Sequence, residues 1–116
     1  MSVSPFESVL TLLIRQRGVL GCLVVGEADG IVVDANVQVG IQSNVVAALA
    51  AALYRKARLC SAAAGLSTVG FLQLEAERGH ICAIGRDGLV LVTLAEPRAH
   101  IGMIRGAMLE SLSVLA

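Results

Sequence analysis

Apolar residues recur along this chain in two rhythms, and the rhythm changes at turn-forming residues. Phe6, Val9, Leu10 and Leu13 follow helical spacing. Ser4-Pro5-Phe6-Glu7 reads as the start of that helix: Ser4 as cap, Pro5 at the first helical position, Glu7 completing a capping box. Gly18 is a natural stop. Residues 19–27 and 31–36 are then rich in β-branched side chains and flank Ala28-Asp29-Gly30. Two such runs around Asp-Gly predict a β-hairpin, because the tight turn needs positive φ.

Ser43 or Asn44 can cap a second helix, running to about Ala64 and closed by Gly65. Residues 68–77 alternate as a strand does. Gly70, Leu72, Leu74 and Ala76 share one face; Val69, Phe71, Gln73, Glu75 and Glu77 share the other. That pattern suits a sheet with one side buried and the other partly wet. Arg78-Gly79 and Asp87-Gly88 punctuate residues 80–86 and 89–95, which completes a three-stranded meander. Glu96-Pro97 opens a last helix with Ile101, Ile104, Met108, Leu112 and Leu115 on one stripe. The order α-β-β-α-β-β-β-α, with strands joined by hairpins, predicts an α+β fold: a five-stranded antiparallel sheet with helices packed on it. No linker, repeat or low-complexity tract interrupts the 116 residues, so residues 1–116 are expected to form one domain.

The second helix changes the picture. Residues 45–54, VVAALAAALY, are apolar all the way round for ~15 Å of helix. A helix on a sheet should show a polar outer face. Either this helix is buried within the monomer, or its second face meets another copy across a two-fold axis; the contact is the better reading. Its alanines permit close approach, and burying ~400 Å² of apolar surface would contribute ~10 kcal/mol before association costs. Val45, Val46, Leu49, Ala50, Leu53 and Tyr54 are the expected contact residues.

Composition sharpens this. The chain is 56% hydrophobic and only 16% charged, with mean hydropathy +0.79. Such a chain is either held in a membrane or covers apolar surface with a partner. A membrane-spanning helix needs about 20 uninterrupted apolar residues. Residues 45–54 are half that, and Arg55, Lys56 and Arg58 follow at once. No basic region precedes the N-terminal apolar stretch, and Glu7 lies inside it, so no signal peptide is expected. A cytoplasmic protein with an apolar interface fits these facts best. Net charge is formally zero. Arg15 and Arg17, and the Arg55/Lys56/Arg58 group, read as solvated charges near helix ends. Without a basic stripe interleaved with aromatics, nucleic-acid binding is not expected.

Candidate chemistry is sparse. Cys22, Cys60 and Cys82 are widely spaced among apolar residues and read as buried free thiols. His80 and His100 each lack a second ligand at metal spacing. Glu75 and Glu77 share a strand face, which a proton-transfer pair would need, but a solvated edge explains them better. Ser43, Ser61 and Ser67 lack a nucleophile-elbow context. Gly18, Gly21 and Gly26 form no phosphate cradle, and Gly85-Arg86-Asp87-Gly88 reads as a turn. Gly102 and Gly106 are expected to pack their helix closely on the sheet. No catalytic residue, cofactor site or metal site is assigned, and the protein is expected not to be an enzyme.

Several strings, taken in order, resemble the Roadblock (dynein light-chain) family. They are Gly18-Val19-Leu20-Gly21-Cys22 before the Asp29-Gly30 hairpin and the alanine-rich stretch of residues 47–53. Glu75-Ala76-Glu77-Arg78-Gly79-His80-Ile81 follows. Ala95-Glu96-Pro97 then precedes Ile101-Gly102-Met103-Ile104-Arg105. The resemblance covers nearly the whole chain. It implies dimerisation through the central helix and the third, edge strand, which adds Val69, Phe71, Gln73 and Glu75 to the expected interface. It also implies a partner, because the bacterial gliding-protein B (MglB) type binds the Ras-like small GTPase MglA and promotes GTP hydrolysis. The implied protein is a homodimer, or a heterodimer within the family, acting as a non-catalytic scaffold or regulator of such a GTPase. Because the sequence stops soon after its last helix, binding is expected more than stimulation of hydrolysis. If hydrolysis is stimulated, repositioning of the GTPase's own residues is favoured over an inserted Arg86 or Arg105. The competing readings are a purely structural dimerisation module and a small-molecule sensor using a sheet pocket, for which no polar cluster is evident. The resemblance does not choose among motility, polarity and transport.

Overall fold

The computed structural model of the chain describes residues 5–115, with side chains described from 5 to 113. Helix α1 (Glu7–Ile14) begins after Phe6, whose carbonyl accepts from the Leu10 N–H at 3.0 Å. Pro5 therefore sits in the turn before the helix and not at its first position, and the expected Ser4 cap lies outside the described residues. The helix stops well before Gly18. A turn in which Gln16 N donates to Leu13 O and Val19 N to Gln16 O leads into the sheet.

Strands β1 (Val19–Gly26) and β2 (Val32–Val37) form the expected hairpin. Asp29 Oδ1 accepts from the Ile31 N–H at 3.0 Å, and Gly30 takes φ +69°, so both turn residues act as their types dictate. Helix α2 (Ser43–Ala63) follows. Its N-cap is Gln42, with no capping side chain, in place of Ser43 or Asn44. Strands β3 (Leu72–Ala76), β4 (Gly79–Arg86) and β5 (Leu89–Ala95) make the meander. All pairings are antiparallel, in the order β2-β1-β5-β4-β3.

Helices cover both faces of this sheet, which corrects the one-sided expectation. Leu23, Val25, Ala83, Val90 and Val92 point to the face covered by Ala47, Ala50, Ala51 and Tyr54 of α2. Cys22, Val24, Cys82, Ile84 and Leu91 point to the opposite face, covered by α1 and by α3 (Ile101–Glu110). Residues of β1 and β5 are apolar at nearly every position because both of their faces are dry. β3 lies at the rim and starts at Leu72, later than the expected residue 68. All its residues but the half-buried Leu72 are exposed.

The last helix starts at Ile101, with Pro97 in the preceding turn. It breaks at Ser111 before α4 (Leu112–Leu115). There the Ser111 hydroxyl donates to Ala107 O at 2.8 Å, a local bond that competes with helix propagation. Ile104 and Met108 of the expected stripe are buried; Leu115's side chain lies outside the described set. Gly102 and Gly106 face outward and do not pack on the sheet as expected.

Candidate interaction surface

Helix α2 buries Ala47, Ala50, Ala51 and Tyr54 and turns its remaining apolar residues away from the sheet. Val45 is 51% exposed, Leu49 66% and Leu59 63%. With Ala52, Lys56 and Ala63 they occupy positions 45, 49, 52, 56, 59 and 63, intervals of four and three that keep one helical face. The expected interface is thus divided. Val45 and Leu49 are free to meet a partner, and Leu53 and Val46 are half-buried. Ala50 and Tyr54 belong to the chain's own core and present almost nothing outward, a correction to their placement among contact residues. Leu59 shares that outward face although it lies beyond the uniformly apolar run, which ends at Tyr54. The signal that finds it is the heptad-like spacing continued past the charges at Arg55, Lys56 and Arg58.

Those charges do more than solvate the helix. Arg55 donates through a guanidinium nitrogen to the carbonyls of Glu27 and Ala28, and Arg58 Nε pairs with Glu27 Oε1 at 2.7 Å. They tie α2 to the β1–β2 turn and fix the direction in which its outer face looks.

At the rim, Gln73 and Glu75 lie within β3 and are exposed. Val69 and Phe71 precede the strand, half-buried, against opposite faces of the sheet. Arg105 of α3 stacks over Phe71, 5.5 Å from the ring centroid, above a cleft of about 560 Å³ that Gln73 and Ile101 also line. Beside it His80, buried, donates from Nε2 to Pro97 O at 3.1 Å, with Nδ1 3.5 Å from the Gln73 amide nitrogen. His100 is the N-cap of α3, its Nδ1 accepting from Met103 N at 3.1 Å, a capping role the sequence did not announce. A second cleft of about 560 Å³ lies where Gln16 and Arg17 meet Glu96, Arg98 and His100. Among the described residues, no group of three or more His, Cys, Asp or Glu is arranged to hold a metal ion.

The thiols divide as well. Burial, with a smaller contribution from the Asp34 charge, pushes Cys22 up to about 12, and burial pushes Cys82 up to about 11. Neither is poised as a nucleophile. Cys60 is exposed on the outer side of α2, against the expectation that all three are buried. No helix among the described residues is long and apolar enough to cross a membrane.

A five-stranded antiparallel sheet with one long helix on one face and two terminal helices on the other is the Roadblock/LC7 fold. The Roadblock/LC7 domain from Streptomyces avermitilis superposes with a TM-score of 0.83 over 97% of this chain and 93% of that one, at 19% identity. MglB of Myxococcus xanthus superposes with 0.87 over 99% and 94%, at 16% identity. By sequence, the chain belongs to one family with the uncharacterised protein MJ0714 of Methanocaldococcus jannaschii. The two are 32% identical over 108 residues, 93% of this chain and 91% of that protein. MJ0310 of the same organism is 28% identical over 102 residues, 88% of this chain and 89% of its own. No protein-family model matches the sequence.

Proposed function

We propose that the chain is a single-domain, non-catalytic, dimeric scaffold or regulator of the cytoplasm that binds a Ras-like small GTPase of the MglA type. The observation that carries the dimer is the outer stripe of α2: its inner face is satisfied by the sheet, yet Val45, Leu49 and Leu59 remain exposed. An exposed apolar stripe of this kind, interrupted by Lys56, is expected to be covered. Its spacing is the same read in either direction. An antiparallel pair of α2 helices about a two-fold axis therefore sets Leu49 against the partner's Leu59. Val45 meets the partner's Ala63, and Ala52 the partner's Lys56, whose methylene stem covers it. The rim strand β3, with Gln73 and Glu75, lies open for pairing alongside, and pairing would remove an unpartnered edge.

The GTPase half of the reading rests on the resemblance set out from the sequence and on the fold shared with MglB. It is tested by size-exclusion chromatography with light scattering. The chain is run alone and mixed with a Ras-like GTPase from the same organism, loaded with GDP or a GTP analogue. A dimer that shifts only with the GTP analogue supports the regulator. A dimer indifferent to nucleotide leaves the structural module in front, and a monomer removes the assignment of α2.

A further inference from the structure

The sheet has a second open edge, β2, at the end opposite β3, and its availability does not depend on whether α2 pairs. Gln38 N donates to Leu20 O, which sets the parity of the β1–β2 ladder. Asn36 and Asp34, opposite Cys22 and Val24, bond toward β1, and the N–H and C=O groups of Ala35 and Val37 point away from the sheet. Such a row is a template for another strand unless something blunts it. β2 contains neither Lys nor Pro. Two features blunt it: the register shifts at Val33, which stands unpaired between Val32 and Asp34, and Asp34 Oδ1 accepts from the Ala35 N–H at 2.9 Å. Ile31 and Val33 stand beside it, 63% and 51% exposed.

Arg55 and Arg58 sit at the β1–β2 turn, but the charge beside Asp34 is negative. Residues 18–54 include no Lys or Arg. Glu7 and Asp34 line a cleft of about 280 Å³ between α1 and β2, together with Thr11 and Asn36. Neither carboxylate is in an ion pair among the described residues.

We propose that the β2 edge is the docking site for an extended segment of another protein in which apolar and basic side chains alternate, added as a further strand. Its apolar residues cover Ile31 and Val33. A lysine or arginine reaches Glu7 and Asp34, draws the Asp34 carboxylate off the Ala35 N–H, and so frees that donor for the incoming backbone. A second copy of this chain fits poorly. β2 against β2 brings two Asp34 carboxylates together, and the other edge carries Glu75 with Glu77 just beyond it.

Amide hydrogen exchange on the intact chain tests this with two synthetic peptides of equal length, one alternating valine and lysine, the other valine and glutamate. The lysine peptide is expected to slow exchange at Ala35 and Val37 at least about five-fold while the glutamate peptide does not. Asp34→Asn should weaken the preference with the fold intact, and Asp34→Lys should reverse it. No slowing at β2 with either peptide, slowing confined to β3, or equal slowing by both would overturn the proposal. So would peptide-free oligomers, larger than the dimer, that are held through β2.

Discussion

Tyr54 of α2 lies against the backbone of Gly85 in β4, so closely that a methyl group at position 85 would stand 2.5 Å from the ring carbons Cε1 and Cζ and 2.6 Å from the hydroxyl oxygen. Gly85 is thus required by contact, since the neighbouring element leaves no room for a side chain. Burial raises the Tyr54 hydroxyl above its ordinary pKa, the Glu27 charge adds to this, and a backbone hydrogen bond with Gly85 and the Arg58 charge pull the other way. Gly85→Ala should destabilise the fold by about 2 kcal/mol, the usual range for an overpacked core. Tyr54→Ala in the same chain should remove most of that penalty while adding its own cavity cost. Urea unfolding of both single variants and the double variant measures the coupling, and strictly additive effects would show that the ring is not what excludes the side chain.

Thr93 is fully buried in β5, between Cys22 of β1 and Cys82 of β4, and its hydroxyl has no hydrogen-bond partner among the described residues. A buried hydroxyl without a partner is a cost that an apolar group of similar shape removes. Thr93→Val is therefore expected to raise stability by about 1 kcal/mol, and Thr93→Ala to lower it through the lost methyl group. Thermal unfolding of the two variants decides the sign; a less stable valine variant would mean that the hydroxyl is satisfied after all.

The element order was legible in the sequence because the turns carry it. Asp29-Gly30 and Asp87-Gly88 each place positive φ where the hairpins need it. The ends of helices were less legible. Phe6 and Gln42 precede helices without a capping side chain, while His100 caps one although histidine is a weak signal for that role. Tyr54 shows why the outward face of α2 was only half visible. In a helix apolar on every side, the sequence does not say which residues face the chain's own sheet, and Ala50 and Tyr54 turned inward while Leu59 turned out. The two-sided burial of the sheet was masked in the same way, since Gln73 and Glu75 alternate on an edge strand that lies outside the helices' cover.

Leu49 separates association from folding, because its side chain is exposed and its loss leaves the monomer core untouched. If α2 pairs as proposed, Leu49→Glu should raise the dimer dissociation constant by about 100-fold or more, since it would set a charge within an apolar contact. Circular dichroism should be unchanged. Sedimentation velocity over a concentration series reads the shift. A variant that stays dimeric at the same concentrations would move the contact off α2.

The thiols give a test in which pH and access are read together. Unfolded cysteine titrates near its ordinary 9.0, whereas folded Cys22 titrates at about 12 and Cys82 at about 11. Both folded values are raised, so between pH 9 and 11 to 12 the unfolded chain releases protons that the folded chain retains. With fewer protons bound in the unfolded state, stability is fully present below pH 9 and falls as pH rises through that window. Cys22→Ala combined with Cys82→Ala should flatten this part of the curve, at the expense of some core packing. At neutral pH a disulfide reagent should find Cys60 alone in the native chain and all three thiols in denaturant. If α2 pairs as proposed, Cys60 lies beside the covered stripe and reacts slowly, and Leu49→Glu should accelerate it. Equal rates in the two proteins would mean that the outer side of α2 is open in solution.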